Sequence, residues 1–286
     1  MNNIYITKEK ALVVIEKYLQ QEQLKNDNIF NLFDIIEMRE HSHSKLLSWL
    51  LDVNGKTQDS IQYLFLKNFL LKYYDSNISN IEKIMPILCK NISVNNECSS
   101  KDENNKTNGN IDILLYSEDA NFLFVIENKL DAKICIRQRK TQIEKYYEYI
   151  INSKKFKNIG NKKFLYLCPY SDKLADSYIK NITVHNSYVS QISAIDLLNQ
   201  FGYEVIEYSD IILILYASLQ SYPECYIKSI LLQYIHYWEY NKNFGYTPII
   251  DGIFVWDACA KLGVKYNSLT SKKTQEKLKE LKSSII

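Results

Sequence analysis

Apolar residues recur at helical spacing between positions 8 and 20, where Ala11, Val14, Ile15 and Tyr18 fall on one side of a 3.6-residue turn. This predicts a helix with one buried stripe. Asn28 is placed to cap a second helix carrying Phe30, Phe33 and Ile36. A third is expected over 44–51 with Ser42 as its cap, and a fourth over 58–73 after a turn at Asn54-Gly55. Residues 95–110 are the most polar stretch of the chain and end in Asn-Gly-Asn, which predicts a loop. Two apolar runs then follow, IDILLY and FLFVIENK, separated by SEDAN; they predict a hairpin of two covered strands. Further along, a helix is expected over 136–151, a strand over 164–169, another around 182–189, and helices over 194–200, 205–221 and 226–243. A short apolar patch over 249–256 and a Lys/Glu-rich helix over 272–282 complete the pattern.

Strand, helix, strand in this order implies an α/β fold, a mixed sheet with helices packed on it and a helical C-terminal part. With no internal repeat or clear linker, one domain over 1–286 is expected, its core spanning about 28–190 and a helical extension about 191–286.

Composition narrows the class. At 46% hydrophobic residues the chain has ample material for a core, and it contains no apolar run long enough to cross a membrane. The first ten residues are polar and charged, so no leader is expected and the chain reads as soluble and cytoplasmic. Six cysteines lie far apart without CxxC pairing, and the four histidines form no set with ligand spacing, which argues against a disulfide framework or a zinc site. The net charge is +2, yet residues 129–173 hold twelve Lys/Arg against four Asp/Glu. That asymmetry fits a polyanion-binding face, and equally a solvated basic helix and loop. The many tyrosines come with abundant Asn, Lys and Ile and read as a bias of composition.

Hairpin geometry points to chemistry. If Asp112 lies opposite Glu127, Ser117 lies opposite Phe122 and residues 118–121 make a four-residue loop, a common hairpin length. Opposed residues have Cβ atoms about 4.5–5.5 Å apart, so two carboxylates would meet inside an apolar sheet unless a cation joins them. Glu127 and Lys129, two apart on one strand, share a face, and an ammonium therefore joins the pair. Asp and Glu are hard oxygen ligands suited to Mg²⁺, with Lys129 left to orient or help deprotonate a water and to offset charge on a phosphate. An exposed salt bridge at the strand ends is the plain alternative. A glycosidase acid pair is disfavoured, because Lys129 would hold both carboxylates ionised and leave no acid.

These residues resemble a known family. Asn110-Ile-Asp112 followed by Ile126-Glu127-Asn128-Lys129 is similar to the D…(E)xK core of the PD-(D/E)xK nuclease superfamily, in the IENK form of its stand-alone bacterial branch. Glu40-His41-Ser42-His43-Ser44 before LLSWLLD looks like that branch's E-x-x-H-S element, and Gln142 to Tyr146 looks like its Q-x-x-x-Y signature. Ile111 stands where the superfamily's nominal proline would be, and the likeness covers about 28–169. The resemblance implies a restriction-endonuclease-like fold and a Mg²⁺-dependent nuclease, with Mn²⁺ as a substitute and DNA as the expected substrate. It implies Asp112, Glu127, Glu40 and the Asn128 backbone carbonyl as metal ligands and Lys129 as the catalytic lysine. Gln142 and Tyr146, with Gln138 beside them, are expected to aim at the scissile phosphate, and Arg137, Arg139, Lys140 and Lys145 to contact nucleic acid. Glu40 and His43 are alternatively a capping arrangement on the helix over 44–51. The competing function is a silent module of the same fold that binds nucleic acid, a protein partner or a second copy.

Overall fold

The computed structural model describes residues 6–24, 32–35, 38–101, 107–130, 134, 136–137, 140–169, 171, 174, 177–185, 187–240, 249–250, 253–264 and 276–277. The chain divides into two compact units, Met38–Pro223 and a second made of Met1–Glu37 with Glu224–Ile286.

In Met38–Pro223 the sheet begins where a loop was expected. β1 (Ser93–Lys101) and β2 (Thr107–Ser117) run antiparallel, with Ser93 opposite Tyr116 and Ser99 opposite Asn110. Residues 95–101 are polar because β1 is an edge strand: Asn95, Glu97 and Ser99 stand in solvent while Asn96 and Cys98 are half-buried. β3 (Phe122–Asn128) pairs with β2 from Ser117 opposite Phe122 to Ile113 opposite Ile126, the register a four-residue loop demands. One further step in that register sets Asp112 opposite Glu127.

A small hairpin of β4 (Ile136–Arg137) and β5 (Lys140–Thr141) comes next, so the helix expected from 136 starts later, as Gln142–Asn152. Thr141 sets that start, its hydroxyl accepting from the Glu144 N–H at 3.2 Å. β6 (Asn161–Cys168) runs parallel to β3. β7 (Tyr178–Val184) and β8 (Ser187–Ser193) form a separate hairpin where one strand was expected. After the helix Ala194–Gln200, β9 (Tyr203–Glu207) runs parallel to β6 and leads straight into the helix Tyr208–Gln220. No turn residue separates strand from helix there, so their apolar patterns merge and the whole stretch reads as helical. The sheet order is β1-β2-β3-β6-β9, the mixed, helix-flanked architecture the sequence predicts.

Two helix starts also differ. The helix Glu40–Leu51 begins four residues early, which puts Ser42 inside the first turn and leaves it no capping role. The helix Ile61–Tyr73 begins late because Ser60 closes a turn back to Thr57 and then caps it, accepting from the Tyr63 N–H. Alternation along β3 separates two covered layers. Leu123 and Val125 join Ile143, Tyr146 and Ile150 of the helix Gln142–Asn152. Phe122 and Phe124 turn the other way, toward Tyr74 and Phe69, with Phe124 edge-on to Phe69 at 5.6 Å.

In the second unit, Ala11, Val14, Ile15 and Tyr18 of the helix Lys8–Leu24 are buried with Ile250, Ile253, Val255, Ala258 and Cys259. The short helix Leu32–Ile35 meets Tyr226–Tyr240: Gln233 Oε1 accepts from the Leu32 N–H, and Phe33 sits edge-on to Tyr234. Asn28, Phe30, Ile36 and nearly all of the expected helix over 272–282 lie outside the described residues. No helix among the described residues is long and apolar enough to cross a membrane.

Phe124 is fully buried between aromatic neighbours. Phe124→Ala should cost about 3–5 kcal/mol, read from the midpoint of chemical unfolding.

Candidate active site

β2 and β3 deliver Asp112 and Glu127, the residue after β3 is Lys129, and the helix Glu40–Leu51 brings Glu40. Glu127 is wholly buried at the end of a strand buried throughout. Lys129 Nζ lies 2.8 Å from Glu127 Oε1, 2.7 Å from Glu40 Oε1 and 3.6 Å from Asp112 Oδ2, so one ammonium collects three carboxylates. Backbone donors hold the acids too. Asp112 Oδ2 accepts from the Asn128 N–H at 2.8 Å, and Glu40 Oε2 accepts from the Leu130 N–H at 3.3 Å. The Lys129 N–H itself donates to Leu167 O on β6, which ties the end of β3 into the parallel half of the sheet.

The sequence pattern does not reveal what Asn128 does with its side chain. Lying between Glu127 and Lys129, it must face the opposite layer, and there its amide is fully engaged. Nδ2 donates to Glu40 O at 3.1 Å and to Ser44 Oγ at 2.9 Å, while Oδ1 accepts from the Tyr208 hydroxyl at 2.6 Å. His43, also buried, sits edge-on to the Tyr208 ring. Burial pushes His43 down to about 3, so it is neutral at physiological pH. A polar amide at the end of the run FLFVI was the available signal for Asn128. Ser44 is the serine of the Glu40-His41-Ser42-His43-Ser44 element, whereas nothing local marks Tyr208.

Burial, then repulsion from Asp112, pushes Glu127 up to about 8 against the pull of Lys129. Asp112 is likewise raised by burial. Burial alone would lower Lys129, but Glu127, Asp112 and the hydrogen bonds to Glu127 and Glu40 outweigh it and lift the ammonium above its ordinary value. Among the described residues no group of three or more His, Cys, Asp or Glu side chains has the spacing of a metal centre, and Lys129 stands among the carboxylates. The donor set nevertheless fits a hard divalent cation. Mg²⁺ needs only one or two carboxylates, and Glu127 Oε2 is a buried oxygen with no hydrogen-bond partner among the described residues.

Gln142 and Tyr146 lie one turn apart and touch each other. Gln142 Nε2 donates to the Tyr146 hydroxyl at 2.6 Å, and that buried hydroxyl donates to Asn110 O, two residues before Asp112. The tyrosine thus braces the strand that carries Asp112. Gly109 makes room for it: φ is +137°, and a Cβ there would lie 2.9 Å from the Tyr146 hydroxyl oxygen.

Lys140 Nζ is bound to Glu148 at 2.7 Å and lies 3.6 Å from Glu144, and Lys145 is buried. Arg137 lies on β4, whereas Arg139 and Gln138 fall outside the described residues. Lys162 and Lys163 pair in register with Leu123 and Phe124, three to four residues, or roughly 10–13 Å, up the sheet from Tyr166 opposite Glu127.

The family model of the PD-(D/E)XK nuclease superfamily matches residues 27–236. No curated protein and no solved structure gives a significant match.

A carboxyl whose folded value is raised binds its proton more tightly in the native state, so its contribution to stability is present below the unfolded value and is lost as pH rises toward about 8. Without divalent metal, the unfolding temperature should fall between pH 4.5 and pH 8, and Glu127→Gln should flatten that slope. Equal slopes in thermal melts of the two proteins would rule out Glu127 as the source. Gly109→Ala should cost about 1–3 kcal/mol through its backbone angle alone, checked by the same melts.

Proposed function

We propose, from the premise that this chain belongs to the PD-(D/E)XK nuclease superfamily, that it hydrolyses phosphodiester bonds of DNA with Mg²⁺, for which Mn²⁺ substitutes. The observation that carries this reading is the meeting of Asp112, Glu127 and Glu40 on Lys129, with a buried Glu127 oxygen left unbonded among the described residues. An exposed salt bridge at a strand end does not explain an acid buried this deeply, since desolvation would disfavour it.

In this reading Asp112, Glu127, Glu40 and the Asn128 carbonyl hold the divalent ion. When bound, the ion supplies Lewis-acid charge at the phosphate and makes water more acidic. The chain's residues supply the remainder. Lys129 stays protonated at neutral pH, because its acids lift it above its ordinary value. It acts as a fixed cation and donor toward the phosphate and does not take the water's proton. Burial, followed by the charge of Glu127, raises Tyr146 as well and keeps it a phenol, so with Gln142 it holds the strand that aims Asp112. Arg137 and Arg139 remain the proposed phosphate contacts beside the site. Lys140 and Lys145 have weaker standing, one shared with Glu148 and the other buried.

The family match runs from one unit into the other, which supports treating 1–286 as one nuclease-like domain with a helical C-terminal part. We also propose a cytoplasmic enzyme acting against foreign DNA, with its C-terminal helices available to a protein partner or a second copy.

The test is incubation of the purified chain with linear, circular and single-stranded DNA and with RNA, with and without Mg²⁺ or Mn²⁺. Asp112→Asn, Glu127→Ala and Lys129→Ala should each lower turnover by about 10²–10³-fold or more. Lys129→Ala should still bind metal. Cleavage that persists in chelator or survives Glu127→Ala would refute the assignment, and binding without cleavage by the parent chain would favour a silent module.

A further inference from the structure

We infer that Tyr208 is a positioning residue of this site, acting through the Asn128 amide to fix the helix turn that carries Glu40. The inference rests on the nuclease reading only in what Glu40 is positioned for. Its geometry stands apart from it. Tyr208 opens the helix Tyr208–Gln220, Asn128 ends β3, and Glu40 opens the helix Glu40–Leu51. No two of these elements are adjacent in sequence.

Hydrogen-bond direction makes the chain one-way. A phenol at neutral pH donates its single proton, and here it donates to Asn128 Oδ1 at 2.6 Å. The Glu40 carbonyl can only accept, so Nδ2 faces it, and Oδ1 is left facing Tyr208, whose hydroxyl satisfies that buried oxygen and holds the amide in place. With Oδ1 on Tyr208, both Nδ2 protons point at the other helix, one to Glu40 O at 3.1 Å and one to Ser44 Oγ at 2.9 Å. Ser44 Oγ then passes its own proton to Glu40 O at 3.1 Å, so two donors converge on the carbonyl of Glu40. The carboxylate of the same residue is held from the other side by Lys129 Nζ and the Leu130 N–H. Glu40 is gripped at both ends, and Tyr208 backs the amide that makes the backbone grip. Asn128, Ser44 and Tyr208 are all buried, so water is not at hand to replace a lost donor.

Groups that orient metal ligands from behind typically change affinity or rate by about 10–100-fold when removed. Tyr208→Phe keeps the ring against His43 and removes only the hydroxyl. Calorimetric titration of the full chain with Mn²⁺, without nucleic acid, should show it weakened by about 10–100-fold, with kcat reduced and KM for DNA little changed. Glu40→Gln should weaken Mn²⁺ similarly, and adding Tyr208→Phe to it should cost almost nothing more, since the residue being positioned is already disabled. Ser44→Ala, which removes one acceptor and leaves the phenol in place, should give a smaller loss in the same direction and serves if Tyr208→Phe folds poorly. Full additivity of Tyr208→Phe and Glu40→Gln, or parental Mn²⁺ affinity in Tyr208→Phe, would overturn the inference. Amide exchange over residues 40–44 separates this from the nuclease reading. Faster exchange in Tyr208→Phe, with a parent chain that binds Mn²⁺ but cuts nothing, upholds the positioning chain and sinks the nuclease.

Discussion

A single buried ammonium facing three carboxylates is the interaction on which the other arrangements in this fold depend. Lys129 neutralises one charge and leaves an excess of acid in a place where water is scarce, which is why Glu127 and Asp112 are raised together with Lys129 itself. Such a cluster is costly to bury and keeps its shape only if each member is held by something else. Backbone N–H groups of Asn128 and Leu130 do this for Asp112 and Glu40. Glu127 has no such help on its second oxygen among the described residues, and it is there that an added positive charge would be most favourable.

The period of a β-strand lets three consecutive residues serve two layers. Glu127 and Lys129 project toward the layer of the helix Gln142–Asn152, and Asn128 projects toward the helices Glu40–Leu51 and Tyr208–Gln220. Replacing Asn128 by an apolar residue would suit the strand's burial and abandon the second helix pair. One amide therefore ties together the two helices of that covering, and its partners come from opposite ends of the unit's sequence.

How far this was legible depended on the range of the forces involved. The β2–β3 register followed from loop length and period alone, because both are local, and so Asp112, Glu127 and Lys129 could be brought together from the sequence. Polarity misled over residues 95–101, where exposure of an edge strand imitates a loop, and β9 was lost in the pattern of the helix that follows it without a break. Charge counting is blind to partners. Among the basic residues between 129 and 173, Lys129, Lys140 and Lys155 are near in sequence but are drawn to Glu127, to Glu148 and to the Tyr116 ring. Tyr208, one tyrosine among 23, is 80 residues from its partner and was out of reach of any pattern.

That separation has a bearing on how the molecule matures on the ribosome. The contacts of Asn128 span 84 and 88 residues back to the helix Glu40–Leu51 and 80 residues forward to Tyr208. A chain made as far as Cys168 already contains both apolar strands and every acid of the cluster, yet lacks the phenol that satisfies the Asn128 amide oxygen. The acids of the cluster are therefore made well before the last partner of the central amide, a long-range contact that closes late in the order of synthesis.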